Sequence, residues 1–257
     1  MSKVFVLSDI HSFHNEMMEA LEKNGFDINN PEHHVVICGD LFDRGPDAVK
    51  CLEFVKQLDS LGRLSYVCGN HEDLLFDCVE QIYRGNGISQ HHFNNKTVDT
   101  IAQLTGIGVY DLTTGCYNSK KFEEAIEPIL AFIEETVDDY VEVDNYVFVH
   151  GWIPCDFYNG TVEEDWREGN WSDARWKNGM LAWKKGARLS DKTIVCGHWH
   201  CSWGWSNLRQ ERKEFPDKNR KDWRASFEPF IDEGIIAIDA CTAYTGMCNC
   251  LVIDVDK

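Results

Sequence analysis

Positive charge is scarce in this chain of 257 residues: 25 Lys and Arg stand against 43 Asp and Glu, a formal net charge of -18. A nucleic-acid duplex would meet like charge over most of the surface, so binding driven by counterion release is excluded and no double-stranded nucleic acid is expected as a partner. Long apolar runs are missing as well. No stretch approaches the roughly 18 apolar residues of a membrane span, and no membrane partner is expected. Met1-Ser2-Lys3 leads straight into Val4–Leu7 without the basic, apolar and small-residue succession of a secretory signal, so a cytoplasmic location is the expectation. The eleven cysteines contain no CxxC pair and no even disulfide framework. Cys38, Cys68 and Cys196 each precede a glycine at the end of an apolar run and read as buried reduced thiols. Cys248 and Cys250 share one face of a terminal strand and read as small core residues rather than metal ligands. Neither a Pro/Ser-rich linker nor an internal repeat divides the chain, so one domain over 1–257 is expected. Tryptophan is absent before residue 152, and all nine crowd between Trp152 and Trp223.

What is present can build a sizeable core, with 43% hydrophobic and 12% aromatic residues. Short apolar runs recur at Val4–Leu7, Val35–Cys38, Leu64–Cys68, Tyr146–Val149, Thr193–Cys196, Ile235–Ile238 and Cys250–Ile253, each ending near Gly, Asp or His. Their length and β-branched content predict buried strands. Helical periodicity lies between them, clearest over Asn15–Asn24, Pro46–Ser60, Glu72–Tyr83 and Lys121–Thr136, which makes the chain βαβ-like. Ala48, Leu52 and Val55 give the second helix an apolar face for a sheet. The acidic stretch from Glu123 to Asp144 reads as a solvated helix face, because Ile126, Ile129, Leu130 and Ile133 run through it.

Five clusters of metal-type ligands stand directly after predicted strands: Asp9-Ile10-His11, Gly39-Asp40-Leu41-Phe42-Asp43-Arg44-Gly45, Gly69-Asn70-His71-Glu72, His150-Gly151 and Gly197-His198-Trp199-His200. The carboxyl ends of strands in an open α/β sheet line the ligand crevice, so this register gathers all five at one edge. One Asp-x-His or His-Gly alone would be an ordinary cap. Oxygen and imidazole donors without thiolate suit Mn, Fe or Zn in an open site rather than a structural Cys-type zinc. His33, His34, His91 and His92 stand in polar surroundings and read as loop residues, and His14 as an outward residue of the first helix.

The order D-x-H, GDxxDRG, GNHE, HG, GHxH, running from Asp9 to His200, resembles the calcineurin-like metallophosphoesterase superfamily. Gly39–Gly45 and Gly69–Glu72 look most like the serine/threonine phosphoprotein phosphatase branch, which also includes symmetrical diadenosine tetraphosphatases. The resemblance implies a four-layer α/β/β/α sandwich of two mixed sheets, here with a helical insertion at about 84–140 and a Trp-rich region at about 152–223. It implies two divalent metal ions, Mn first with Fe or Zn as alternatives. Asp9, His11 and Asp40 would hold one, and Asp40, Asn70, His150 and His198 the other, with Asp40 bridging. Such a pair activates a water as hydroxide for in-line attack on phosphorus. His71 would be the general acid oriented by Asp43, and Arg44 would offer a planar fork to phosphate oxygens.

Two departures go with the resemblance. Ser12 follows the first motif where the family often has Gly, and His200 resembles the wider superfamily and could add a ligand to the first metal. A second phosphate-binding arginine is usual; Arg175 is the first candidate, with Arg167 and Arg188 open. The leading activity is hydrolysis of phosphomonoesters on phosphorylated proteins or of a small phosphoester. A symmetrical dinucleoside polyphosphate hydrolase is the alternative, with the late tryptophans stacking on adenine. A non-catalytic metal-dependent binding module is a distant third, since it would need none of His71, Asp43 and Arg44. Trp203 and Trp205, alternating with Gly204 in an extended segment, would line a groove, or the rings would form a satellite core.

Overall fold

The computed structural model of the chain describes residues 2–255. In chain order the strands are β1 (Ser2–Leu7), β2 (His33–Cys38), β3 (Leu64–Val67), β4 (Val137–Asp138), β5 (Val141–Val143), β6 (Tyr146–Phe148), β7 (Cys155–Asp156), β8 (Thr161–Val162), β9 (Thr193–Cys196), β10 (Phe230–Asp232), β11 (Ile235–Ala237) and β12 (Leu251–Val255). The α-helices are α1 (His14–Lys23), α2 (Ala48–Ser60), α3 (Asn70–Arg84), α4 (Gln90–Asn95), α5 (Thr97–Thr105), α6 (Val109–Thr114), α7 (Ser119–Thr136), α8 (Trp171–Ala174), α9 (Gly179–Lys185), α10 (Cys201–Asn207) and α11 (Thr242–Thr245).

Two mixed sheets face each other, and helices cover their outer faces. The first has the order β12-β1-β2-β3-β4, with β12 antiparallel to β1 and the rest parallel. The second has the order β10-β11-β9-β6-β5, with β11, β9 and β6 parallel and antiparallel strands at both edges. Side chains alternate across each strand, and both faces are buried. Val4, Val6, Val36, Cys38 and Val67 of the first sheet therefore meet Phe148, Val195 and Ile236 of the second. Phe5, Leu7, Val35 and Ile37 point the other way, into a core with Leu52 and Val55 of α2 and Leu75 and Val79 of α3. The second sheet turns Val147, Ile194 and Ala237 outward onto Trp152, Trp171, Met180 and Trp183. This is the α/β/β/α sandwich.

Some boundaries and residues differ from expectation. Helix α2 starts at Ala48, not Pro46, because Asp47 turns back to donate its N–H to the Ser12 carbonyl. Helix α3 starts at Asn70. His33 lies within β2 and is buried, accepting from the Asp27 N–H at 2.9 Å with its ring 4.9 Å from that of Phe5. His92 is buried on α4 with Nε2 2.9 Å from Asp77 Oδ2, whereas His91 is exposed. The segment of Trp203 and Trp205 is the helix α10, so its side chains do not alternate as in a strand. Among the described residues no helix is long and apolar enough to cross a membrane.

Candidate metal centre

Strands β1, β2, β3, β6 and β9 all deliver their carboxyl ends to one edge, where the five clusters begin. The chain leaves these strands abruptly. Asp9, His11, Asp40, Asp43, Arg44 and His198 all have φ between 50° and 75°, a region that non-glycine residues enter only under constraint. Cross-loop hydrogen bonds supply the constraint: the N–H of Asp9 donates to Gly39 O at 3.2 Å, that of His11 to Asp40 O at 3.0 Å and that of Gly197 to His150 O at 2.8 Å. Two glycines make room for carboxylates. A Cβ on Gly69 would stand 2.3 Å from Asp40 Oδ1, and one on Gly197 would stand 2.2 Å from Asp9 Oδ2.

Asp40 is the centre of the arrangement. Donor atoms of His11, Asp40 and His71 lie within 4.8 Å of one another, and so do those of Asp40, His150 and His198. The Asp40 carboxylate accepts the His71 N–H at 3.0 Å, while Glu72 receives the Asp40 N–H at 2.9 Å, the Leu41 N–H at 2.9 Å, the Gly69 N–H at 2.8 Å and the Tyr66 O–H at 2.7 Å. Glu72 thereby ties the loop after β2 to the start of α3. Burial works to raise the Asp40 pKa, but the imidazoles of His150, His71, His11 and His198 outweigh it and hold the carboxyl below its usual range.

Backbone carbonyls fix the orientation of two of the imidazoles, His150 and His11. His150 Nδ1 is 2.8 Å from the Cys38 carbonyl, which can only accept, so its proton sits there and the Nε2 lone pair points inward. That lone pair faces Asn70 Oδ1 at 2.9 Å and Asp40 Oδ1 at 3.2 Å. Three acceptors converging with no donor between them suit a cation. His11 Nδ1 likewise faces Phe42 O at 3.0 Å. Burial, with Arg44 and His71 adding to it, pushes the His11 pKa well down, and burial with His150 brings His198 to about 3. Burial, Asp239 and Asp40 push Asp9 well up, as expected of carboxylates crowded without a counter-charge. Carboxylates that repel one another beside His11 and His198, whose protonated forms burial disfavours, fit divalent cations.

The remaining predicted residues divide into two sets. His71 Nδ1 lies 2.7 Å from Asp43 Oδ2, which also accepts the Thr97 hydroxyl at 2.8 Å. Arg44 sends Nη1 to His11 Nε2 at 2.9 Å and Nη2 to His71 Nε2 at 3.1 Å. Asp9 accepts the His198 N–H at 2.9 Å. Asp9, His11, Asp40, Arg44, Asn70, His71 and His198 line a pocket of about 120 Å³ together with Leu74, His91, Asn95 and Trp176, while Asp43 and Thr97 stand behind His71. His200 stands outside both donor groups, with Nδ1 2.8 Å from Ser202 Oγ and Nε2 3.6 Å from Glu214. Arg175 is bound to Asp73 at 2.8 Å and also to Asp139, Arg167 pairs with Glu142, and Arg188 covers the Trp183 ring. None of these three arginines lines the pocket.

Sequence reasoning missed Asn95 and His91, which line the pocket, and Thr97, which holds Asp43; they reach the site because α4 and α5 pack together beside α3. It also gave no role to Glu72 or to Asp239, although Asp239 follows β11 as the other clusters follow their strands and influences Asp9.

Residues 2–229 match the family model described as calcineurin-like phosphoesterase. Curated relatives include bis(5'-nucleosyl)-tetraphosphatase PrpE [asymmetrical] of Bacillus velezensis, 31% identical over 106 residues, which are 39% of this chain and 41% of that protein. The symmetrical bis(5'-nucleosyl)-tetraphosphatase of Photorhabdus laumondii is 40% identical over 68 residues, 26% of this chain and 23% of that protein. The matched stretches thus span about two fifths or less of these relatives. Among solved structures, a cold-active protein-tyrosine phosphatase of a psychrophilic Shewanella shares the fold, with a TM-score of 0.54 at 16% identity over 99% of this chain and 76% of that one. A family match over nearly the whole length, together with two buried His/Asp groups that share Asp40 at the carboxyl edge of paired mixed sheets, places this chain in the calcineurin-like phosphoesterase family.

Proposed function

We propose that the chain is a two-metal hydrolase of dinucleoside polyphosphates. The observation that carries the chemistry is the position of Asp40 in both donor groups, next to the His71–Asp43 pair and the Arg44 fork. Asp9, His11 and Asp40 would hold one ion, and Asp40, Asn70, His150 and His198 the other. Two such cations lower the pKa of a water and polarise phosphoryl oxygens for in-line displacement. The protein's own contribution is orientation. Glu72 fixes the Asp40 loop, and the Cys38 and Phe42 carbonyls set the tautomers of His150 and His11. Arg44 lines the pocket with a planar guanidinium, a group that can pair with two phosphate oxygens. A phosphate that draws this fork away leaves His71 Nε2 to carry a proton to the leaving oxygen, while Nδ1 remains on Asp43.

The substrate class rests on the relatives, both of which are identified as nucleosyl tetraphosphatases. The phosphoprotein reading, first in order from the sequence, is supported less well, since the phosphatase likeness at 16% identity speaks to fold alone. Metal-reconstituted enzyme assayed in parallel on diadenosine tetraphosphate, a phosphoserine peptide and p-nitrophenyl phosphate tests this order. A kcat/KM highest for the dinucleotide is the expected result; products ADP alone, or ATP with AMP, distinguish symmetrical from asymmetrical cleavage. A phosphopeptide hydrolysed more efficiently than the dinucleotide reverses the order.

A further inference from the structure

A second concavity, of about 730 Å³, lies beside the metal pocket. Trp176 lines both, so the two spaces adjoin across one indole ring. Five aromatic side chains line the cleft: Phe157, Tyr158, Trp176, Trp199 and Trp203. Trp199 sits next to the donor His198, with the two rings 6.5 Å apart, and Trp203 meets Trp199 edge to face at 6.1 Å. Trp152, Trp166, Trp171 and Trp183 are buried in the core of the second sheet, but Trp176 is 45% exposed and Tyr158 is 88% exposed. Contiguous exposed aromatic area marks a binding surface.

The polar groups of the cleft say which part of a substrate enters it. Asp156 and Asp173 line it, and Lys177 is already held by Asp173 at 2.9 Å and by the Cys155 carbonyl at 3.0 Å. A phosphate chain would therefore meet carboxylates here, whereas the metal pocket offers Arg44. Asn178 is 6% exposed and gives its Oδ1 to the Leu181 N–H at 3.0 Å, which leaves its amide hydrogens as donors toward the cleft. Flat rings with an amide donor at their border suit an uncharged, planar, hydrogen-bonding heterocycle.

We propose that this cleft is the nucleobase subsite: one base of the substrate packs into the angle between Trp199 and Trp203, stacked on one ring and meeting the other edge-on, while the attached phosphates cross Trp176 into the metal pocket. The assignment rests on the dinucleoside polyphosphate reading and adds to it the residues that recognise the nucleoside. Base stacking on aromatic rings is tolerant of sequence, so adenosine and guanosine polyphosphates are both accepted.

Tryptophan fluorescence of the metal-loaded enzyme, titrated with AMP and separately with inorganic phosphate, tests it alongside kinetics. AMP should quench the emission and phosphate should not. Trp203→Ala should weaken AMP binding and raise KM for diadenosine tetraphosphate about tenfold, the loss of one stack, with a far smaller effect on KM for p-nitrophenyl phosphate. Tyr158→Ala, at a position too exposed to matter for folding, should shift the same two quantities in the same direction. Folded variants that bind AMP and turn over the dinucleotide like wild type overturn the subsite and leave the hydrolase reading standing. Variant-sensitive AMP binding in an enzyme that does not cleave the dinucleotide keeps the subsite and overturns the hydrolase reading. A phosphotyrosine peptide whose KM responds to both variants, with no AMP binding, assigns the cleft to an aromatic side chain instead.

Discussion

His71 Nδ1 lies 2.7 Å from Asp43 Oδ2, and both side chains are almost fully excluded from solvent. Burial alone would lower the His71 pKa, but Asp40 and the hydrogen bond to Asp43 outweigh it, so the imidazolium persists above the usual range. His71→Ala should cut hydrolysis of alkyl phosphates by about 10²–10⁴-fold and that of p-nitrophenyl phosphate far less, since only the first leaving group needs a proton. Equal losses on both substrates would remove His71 from the role of acid. Because the Asp43 charge favours the protonated form, Asp43→Asn should move the alkaline limb of the kcat profile to lower pH. An unmoved limb would place the proton donor elsewhere.

Metal binding and pH should be linked. Asp9 and Asp239 have folded pKa values raised by burial, so what they contribute to stability is present below the unfolded carboxylate value and is lost as pH rises through the folded one. His11 and His198 are depressed, so they oppose folding as pH falls below the unfolded imidazole value, down to about 3 for His198. Cations held as proposed need the deprotonated forms of Asp9, His11 and His198. The rise in Tm on adding Mn should therefore be larger at pH 8 than at pH 5.5, roughly 5–10 °C at a hundredfold excess over Kd. A shift that is equal at both pH values, or greater in acid, counts against the site.

Much of this was legible because chemistry and topology coincide: each buried parallel strand is a near-continuous apolar run, and each motif begins where the run stops. Strands β4, β5 and β10, two or three residues long, are too short to carry a period. His33 and His92 look polar in sequence, yet Asp27 and Asp77 satisfy their nitrogens inside the fold. Trp203 and Trp205 read as an extended pair, but on α10 they diverge. Trp205 packs 5.5 Å from Phe230 and donates to Glu228 O, while Trp203 faces the cleft. Glu72 receives donors from the loop after β2, 31 and 32 residues earlier, which no local pattern reveals.

That carboxylate supports a graded test. Tyr66→Phe removes one of the donors to Glu72 and should cost about 1 kcal/mol with little change in metal affinity. Glu72→Gln turns an amide NH2 toward backbone N–H groups that need acceptors. It should cost about 2–4 kcal/mol and weaken Mn binding about 10–100-fold, through misplacement of Asp40. Calorimetric titration of the two variants separates these effects, and Mn affinity in Glu72→Gln equal to that of wild type would show that the Asp40 loop holds itself.

Arg175 gives the last test, because its sequence position and its contacts suggest different roles. A phosphate-binding guanidinium should face the pocket with donors to spare. Here Nη1 forks onto both oxygens of Asp73 at 2.8 and 2.9 Å and Nη2 is taken by Asp139, while Nε is buried without a partner among the described residues and away from the metal pocket. The pair joins α3 to the turn after β4, and the Arg175 carbonyl packs so close to Gly151 that a Cβ there would stand 2.5 Å away. Arg175 thereby braces the segment that carries His150. Asp73 and Asp139 are 39% and 44% exposed, which screens the pairing, so Arg175→Ala should cost only about 1–2 kcal/mol, a Tm decrease of roughly 3–6 °C. If bracing is its whole role, KM for the dinucleotide changes less than twofold, since no phosphate contact is lost. A tenfold rise in KM with Tm unchanged would instead mean that the guanidinium leaves its carboxylates when substrate arrives, and Arg175 would return to the phosphate site.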